Sequence, residues 1–145
     1  MKDKITLLPH EIFANIQKIE DRDSRIDYLK KNAYRQVKTI LQLAYNDSVQ
    51  LDFPEGAPPY TENTQLRFPI ASMNRIFNNI SNCTKQSKYS KMRKERWFIQ
   101  ILETLSVEDS KILVAAKDGQ LATFANKKYS KITKSLVKDT FPEIL

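Results

Sequence analysis

The scarcity of glycine is the feature that most constrains this chain. Only two glycines occur among its 145 residues. Tight β-hairpin turns, phosphate-cradling loops and dinucleotide-binding loops depend on glycine, because they need positive φ angles or close approach of the backbone. The sequence therefore leaves little room for a hairpin-rich fold or for these nucleotide-binding loops.

Apolar residues recur at helical spacing along most of the chain. Spacings of three and four residues place such side chains on one face of an α-helix. The strongest stripe is formed by Trp97, Phe98, Ile101, Leu102 and Leu105. The sequence predicts an all-α fold, a single compact domain of about six to seven short helices with one long proline-rich loop. Further apolar stripes lie at 12–19, 26–29, 37–44, 70–80, 112–116 and 130–140.

Several residues predict where helices begin and end. Pro9 suits a first helical turn, where its missing N–H costs nothing. Ser106 with Asp109 three residues later predicts a helix start that resembles a capping box. Gly119 predicts the end of that helix.

Residues 46–66 interrupt the helical pattern with three prolines and four acidic residues. Proline forbids a continuous helix and favours extended geometry. Long ordered loops are often functional, so this segment is a candidate interface, although a connector packed on the core through its aromatic residues is equally consistent. The segment divides the domain into an N-terminal helical cluster (1–45), the acidic loop (46–66) and a basic helical part (67–145). The candidate interface residues are Phe53, Pro54, Pro58, Pro59 and Tyr60.

The positive charge is confined to the second part of the chain. Residues 1–66 carry 9 Lys and Arg against 10 Asp and Glu, whereas residues 67–145 carry 15 against 7. The net charge of +7 therefore arises entirely after residue 66. This asymmetry indicates an anionic partner: nucleic acid, an acidic protein surface or, least favoured, a membrane surface. The abundance of Lys, Asn and Ile is also typical of an AT-rich genome, which is the alternative explanation.

Two basic stretches are candidate binding surfaces. Residues 85–96 combine cations with Tyr89 and precede Trp97, a pattern that suits contacts with phosphates and stacking on unpaired bases. In the second stretch, lysines follow one another from Lys127 at intervals of 4, 3 and 4 residues, which predicts one face of a helix over about 130–140. An ordinary solvated helix face gives the same pattern. The candidate binding residues are Lys88, Lys91, Arg93, Lys94, Arg96, Lys131, Lys134 and Lys138.

The residue types that usually perform catalysis are rare. The chain has one histidine, His10, and one cysteine, Cys83, which excludes an internal disulfide and a zinc site built from cysteines. We expect His10 to be an exposed polar residue and Cys83 to be structural. We therefore expect no enzymatic activity, no cofactor and no metal site. A metal-dependent nuclease using acids such as Asp21, Asp23 or Glu103 remains the less favoured alternative.

The sequence also indicates a cellular compartment. The first residues lack the apolar core of a signal peptide. No stretch approaches the roughly 20 apolar residues that span a bilayer. A reducing cytoplasm suits a chain with a single cysteine.

Three segments together resemble a known family. PEGAPPY at 54–60 resembles an LPEG-x-PPY element, and 96–118 resembles a helix pair with FIQ-x-LE-x-L near its start and KD at its end. FPEIL at 141–145 resembles a closing FP-x-LL. The combination is similar to a family of small proteins of unknown function encoded by T4-type tailed bacteriophages. Phe53 and Ser110 depart mildly from its pattern, standing where Leu and Ala are common.

The resemblance implies a phage protein that acts in the cytoplasm of an infected bacterium, or one packaged in the virion; it implies no catalytic residues. Together with the charge, it leads us to expect a non-enzymatic accessory protein whose basic part binds nucleic acid or a host or phage protein that handles it. The alternative is a virion structural or assembly component that uses the proline-rich loop as an interface. We expect neither a small-molecule substrate nor a membrane partner.

Overall fold

Among the residues that the structure describes, six right-handed α-helices of seven residues or more carry most of the apolar stripes into a shared core. The computed structural model describes residues 7–63 and 75–145. A 3-10 turn, Asn78–Cys83, precedes the fourth helix, and another, Pro142–Ile144, follows the sixth. The helices are α1 (Pro9–Lys18), α2 (Arg22–Asn32), α3 (Arg35–Tyr45), α4 (Lys91–Thr104), α5 (Val107–Lys117) and α6 (Lys134–Thr140).

The all-α prediction is confirmed. Within the described ranges, β-structure is confined to one isolated antiparallel bridge between Leu51 and Thr84. Among the helices described, none is long and apolar enough to cross a membrane.

The core lies where α3, α4 and α5 meet. Helix α3 packs against α5, while α4 packs against both α5 and the 3-10 turn at 78–83. Helix α1 contacts α2 and α5, and α6 contacts α2. Helices α1, α3 and α4 each bury an apolar stripe, as amphipathic spacing requires, whereas α2 buries only Leu29. Side chains at 0% exposure include Phe13, Ile40, Leu41, Phe98, Leu102, Ile112 and Leu113.

The predicted helix boundaries at α1 and α5 are confirmed. Pro9 is the first residue of α1. At α5, Ser106 Oγ accepts a hydrogen bond from the backbone N–H of Asp109 at 3.2 Å. Gly119 follows the helix with φ +71°. The backbone N–H of Gln120 then donates to the carbonyl of Ala115 at 2.7 Å, the bonding of a Schellman cap.

The segment before α6 differs from the prediction of one helix over about 130–140. Ala125, Asn126 and Lys127 have positive φ angles of 50°, 60° and 66°, so they form a left-handed turn. Helix α6 begins only at Lys134, after Thr133 accepts a hydrogen bond from Leu136 N–H. The turn breaks the spacing that the lysine pattern assumed.

The stripe at 70–80 falls partly outside the described residues, because 70–74 are not among them. Residues 75–77 are helical and lead directly into the 3-10 turn. Phe77 and Ile80 are buried, as the stripe predicts.

Replacing Phe98 would test how α4 packs on the core. Its ring is fully buried and stacks on Phe53, with centroids 4.7 Å apart and planes at 14°. We expect Phe98→Ala to lower the free energy of unfolding by about 3–5 kcal/mol, through lost burial and the cavity left behind. Urea denaturation measures this change. Met92→Ala, on the same helix but 75% exposed, is the matched control and should change it by less than about 0.5 kcal/mol; equal losses in the two variants would contradict the packing.

Candidate nucleic-acid interface

The start of α4 presents the first basic stretch at the protein surface. Ser90 caps the helix, because its Oγ accepts a hydrogen bond from the backbone N–H of Arg93 at 3.2 Å. From this start, the helical repeat turns Phe98 into the core and leaves Arg93 and Arg96 exposed. Lys88 is exposed just before the helix.

Two aromatic rings lie beside these cations. The rings of Tyr89 and Trp97 meet edge to face, with centroids 4.8 Å apart and planes at 90°. The Arg93 guanidinium lies 5.7 Å from the Tyr89 ring centre and 5.8 Å from that of Trp97, within cation–π range. Tyr89 is exposed, whereas Trp97 is half-buried. We call the surface formed by Lys88, Tyr89, Arg93, Arg96 and Trp97 the α4 basic face.

The cations of the α4 basic face are not neutralised by any ion pair with the residues that the structure describes. Among residues 7–63 and 75–145, Lys88, Arg93 and Arg96 make no ion pair. Glu95, the one acid in this stretch, lines a cavity of about 430 Å³ beside Pro54 in the proline-rich segment. The three cations therefore remain available to an anionic partner.

Lys94 does not belong to this surface, which corrects its selection as a binding residue. Its side chain is 3% exposed, and its Nζ donates a hydrogen bond to Asp52 Oδ2 at 3.0 Å. That hydrogen bond lowers the pKa of Asp52 below its ordinary range. Lys91 is exposed, but its Nζ lies 4.0 Å from the same carboxylate. The first basic stretch therefore has a structural part and an exposed part.

The second basic stretch is not one stripe. Lys131 is half-buried, and its backbone N–H donates to Gln17 Oε1 at 2.9 Å. Lys134 and Lys138 are exposed one turn apart on α6. Since α6 packs on α2 whereas α4 packs on α5, the two basic stretches are held by different neighbours. Of the three candidate lysines in this stretch, only Lys134 and Lys138 therefore lie exposed on one helix face.

The proline-rich segment is held against the helices by several contacts, yet its central residues are exposed to solvent. Phe53 is half-buried against Phe98, and Tyr60 packs against the core. The backbone N–H of Gly56 donates to Asp118 Oδ2 at 3.0 Å, and Lys117 Nζ donates to the carbonyl of Pro54 at 2.8 Å. Between Phe53 and Tyr60, the solvent-exposed residues are Pro54, Glu55, Gly56, Ala57 and Pro59, while Pro58 is half-buried.

A histidine–aspartate contact that the sequence analysis missed joins α1 to α5. We expected an exposed His10, but its side chain is only 28% exposed and its Nδ1 lies 3.1 Å from Oδ1 of the fully buried Asp109. The backbone N–H of His10 donates to the same oxygen at 2.8 Å. The hydrogen bond to Asp109 raises the pKa of His10 above its ordinary 6.5, against the opposite effect of burial. The two residues are 99 positions apart, so no local pattern could have indicated their contact.

A second carboxylate faces this contact. Glu108 accepts hydrogen bonds from Lys128 Nζ and from the Tyr129 hydroxyl, each at 2.8 Å. Although burial opposes it, these hydrogen bonds lower the pKa of Glu108. An ionised Glu108 favours protonation of His10.

The remaining candidate groups have structural contacts. Burial raises the pKa of the Cys83 thiol to about 12, which suppresses its reactivity. Asp21 accepts a hydrogen bond from Ser24 N–H and caps α2. Glu103 accepts one from the backbone N–H of Thr61 at 2.8 Å. Within the described part of the chain, no three His, Cys, Asp or Glu side chains are grouped as a metal site requires.

Removing the Lys94 charge should destabilise the fold. We expect Lys94→Ala to lower the urea midpoint, because it leaves the Asp52 carboxylate without its direct partner. Lys94→Met keeps most of the buried stem and separates the loss of charge from the loss of packing. Lys88→Ala, which removes an exposed cation a few residues away, is the matched control and should leave the midpoint nearly unchanged. Equal midpoints for Lys94→Ala and Lys88→Ala would show that the ion pair contributes nothing.

The His10–Asp109 contact should make stability depend on pH. The pKa of His10 is raised in the folded state. The contribution of the contact to the free energy of unfolding is therefore complete below about pH 6.5 and decreases as pH rises through the folded pKa. We expect the difference in urea midpoint between the wild type and His10→Ala to be larger near pH 5.5 than near pH 8.5. These two pH values lie on either side of the range in which histidine ordinarily titrates, about pH 6.5. The variant keeps the backbone hydrogen bond to Asp109, so it removes the ring alone. A difference that stays constant with pH would refute the charged contact.

Comparison with known proteins places the chain in a family. Searches of curated proteins and of solved structures found no match. A family model described as a family of unknown function, DUF6433, matches residues 12–123. The match begins within α1 and covers α2 to α5, the proline-rich segment and the whole α4 basic face. The chain belongs to the DUF6433 family of unknown function.

Proposed function

We propose that this protein is a non-enzymatic nucleic-acid-binding protein and that the α4 basic face is its binding surface. One observation carries the proposal: three exposed cations without ion pairs, among the described residues, share a helix start with two aromatic rings. Exposed cations attract phosphates chiefly by releasing condensed counterions, which makes binding strong at low salt and weak at high salt.

Phosphates and bases would meet different side chains of this face. Lys88 and Arg96 act as positive charges toward phosphate oxygens, and the planar guanidinium of Arg96 suits a bidentate contact. No described feature of the face reads base edges in a fixed register, so we expect weak sequence preference. Lys134 and Lys138 supply a second, smaller basic site on α6.

Charge neutralisation tests the proposal. We expect the triple variant Lys88→Gln/Arg93→Gln/Arg96→Gln to bind a labelled mixed-sequence oligonucleotide more weakly than the wild type. The slope of log affinity against log salt concentration should fall by at least about 1.4, since Lys88 and Arg96 each contact phosphate and each lost single-strand contact removes about 0.7. Fluorescence anisotropy over a salt series measures both quantities.

A matched control separates this face from net charge. Lys18→Gln/Lys30→Gln/Lys127→Gln also removes three exposed cations, each without an ion pair among the described residues. We expect it to keep most of the affinity. Lys134→Gln/Lys138→Gln measures the α6 site in the same assay. Absence of binding by the wild type, or equal losses in the two triple variants, would overturn the proposal.

We further propose that the protein acts in the cytoplasm of a phage-infected bacterium. This part rests on the resemblance of 54–60, 96–118 and 141–145 to a family encoded by T4-type phages. The proposed partners are nucleic acid or the acidic surface of a protein that handles it. An affinity pulldown from infected cells, with and without nuclease, tells them apart: captured proteins that survive nuclease treatment would identify a protein partner.

The exposed, anchored proline-rich segment favours a second candidate, a virion structural or assembly component. A loop fixed by Lys117 and Asp118 presents Pro54 to Ala57 with little conformational freedom to lose on docking. Such a component would purify with phage particles at fixed stoichiometry. It would also tolerate neutralisation of the α4 basic face.

A further inference from the structure

We infer that the Tyr89–Arg93–Trp97 cluster selects single-stranded over duplex nucleic acid by stacking unpaired bases. This inference rests on the proposed function and adds the form of nucleic acid that the face recognises.

The distribution of exposed apolar side chains indicates a contact surface at this point. Among the described residues, the exposed large hydrophobic side chains are Tyr89 at 44% and Met92 at 75%. Both lie at the start of α4, within one helical turn of Arg93. Such side chains are normally scattered, whereas a cluster of them marks a surface that another molecule covers.

The geometry of the cluster suits flat, unpaired bases. The rings of Tyr89 and Trp97 are perpendicular to each other, and the Arg93 guanidinium carbon lies 5.7 Å and 5.8 Å from their centres, so three flat groups meet at one point of the surface. Aromatic rings and guanidinium planes are the groups on which splayed bases stack in single-strand complexes. In a duplex, base faces are covered by their neighbours and only edges and phosphates are accessible, so the rings gain nothing there.

The cluster is also held in place before any ligand binds. Ser90 fixes the first turn of α4 through the Arg93 N–H, and the half-buried Trp97 packs against the core. A preformed stacking surface loses little conformational freedom on binding. Lys88 and Arg96 flank it with positive charge for the phosphates on either side of a stacked base.

Charge-conserving variants test the inference. The probes are a mixed-sequence DNA strand, the same strand in a duplex, and the matching RNA strand, measured by fluorescence anisotropy at one salt concentration. We expect the wild type to bind the single strands about tenfold more tightly than the duplex, as one stacked base provides. Tyr89→Leu and Arg93→Lys should lose that preference while keeping duplex affinity, because both preserve net charge.

Trp97 supplies an independent readout. It is the only tryptophan in the chain, so intrinsic tryptophan fluorescence reports on this cluster alone. We expect saturating single strand to quench it and saturating duplex to leave it largely unchanged. Arg35→Lys, the same charge-conserving change at an exposed residue of α3, is the control and should behave like the wild type. Circular dichroism and urea midpoints confirm that each variant is folded.

The outcomes distinguish this inference from the function on which it rests. Equal affinity for strand and duplex, lost in Lys88→Gln/Arg93→Gln/Arg96→Gln, would overturn the inference and leave the proposed function standing. A strand preference that survives both Tyr89→Leu and Arg93→Lys would also overturn it. Absence of binding to all three probes would overturn both. Binding of RNA but not of the DNA strand would support stacking and assign the ligand to RNA.

Discussion

The ion pair between Lys94 and Asp52 connects α4, which carries the candidate site, to the proline-rich segment. A lysine at 3% exposure is tolerated because a carboxylate meets its ammonium at 3.0 Å. The pair fixes the proline-rich segment against α4, where Phe53 also stacks on Phe98. Lys94 lies on the same face of α4 as the buried Phe98 and Ile101. The burial of this whole face, to which the ion pair contributes, leaves Arg93 and Arg96 exposed.

A second polar contact fixes the opposite end of the core. Asp109 lies at the start of α5, where Ser106 Oγ donates to its Oδ2 at 2.9 Å and His10 contacts its Oδ1. The fully buried carboxylate is thus hydrogen-bonded from its own helix and from the start of α1, as a buried charge requires. The fold combines an apolar core with two partly buried polar contacts, Lys94–Asp52 and His10–Asp109, between segments distant in sequence.

Local patterns predicted the helices and their caps, because periodicity and capping depend on residues three or four positions apart. Ser106, Gly119 and the stripe from Trp97 to Leu105 behave as their spacing predicts. The same patterns failed wherever a distant partner decides the outcome. The ion pair of Lys94 with Asp52, 42 positions away, could not be predicted from a local pattern. The burial of Lys94 could have been, because Lys94 lies four residues before Phe98 on the same helix face, whereas its selection as a binding residue considered charge alone.

The left-handed turn at Ala125, Asn126 and Lys127 is a place where the residues do not suit the backbone conformation that they adopt. Each L-residue in this conformation carries a cost of roughly 1–2 kcal/mol, less for asparagine, which glycine would avoid. The turn persists because its flanks are fixed: Leu121 is buried, and Phe124 stacks on Tyr129 with centroids 6.0 Å apart. The shape of the connection between α5 and α6 is therefore imposed by the packing on either side rather than by its own residues. Residues better suited to the left-handed conformation would make the folded protein more stable without changing that shape.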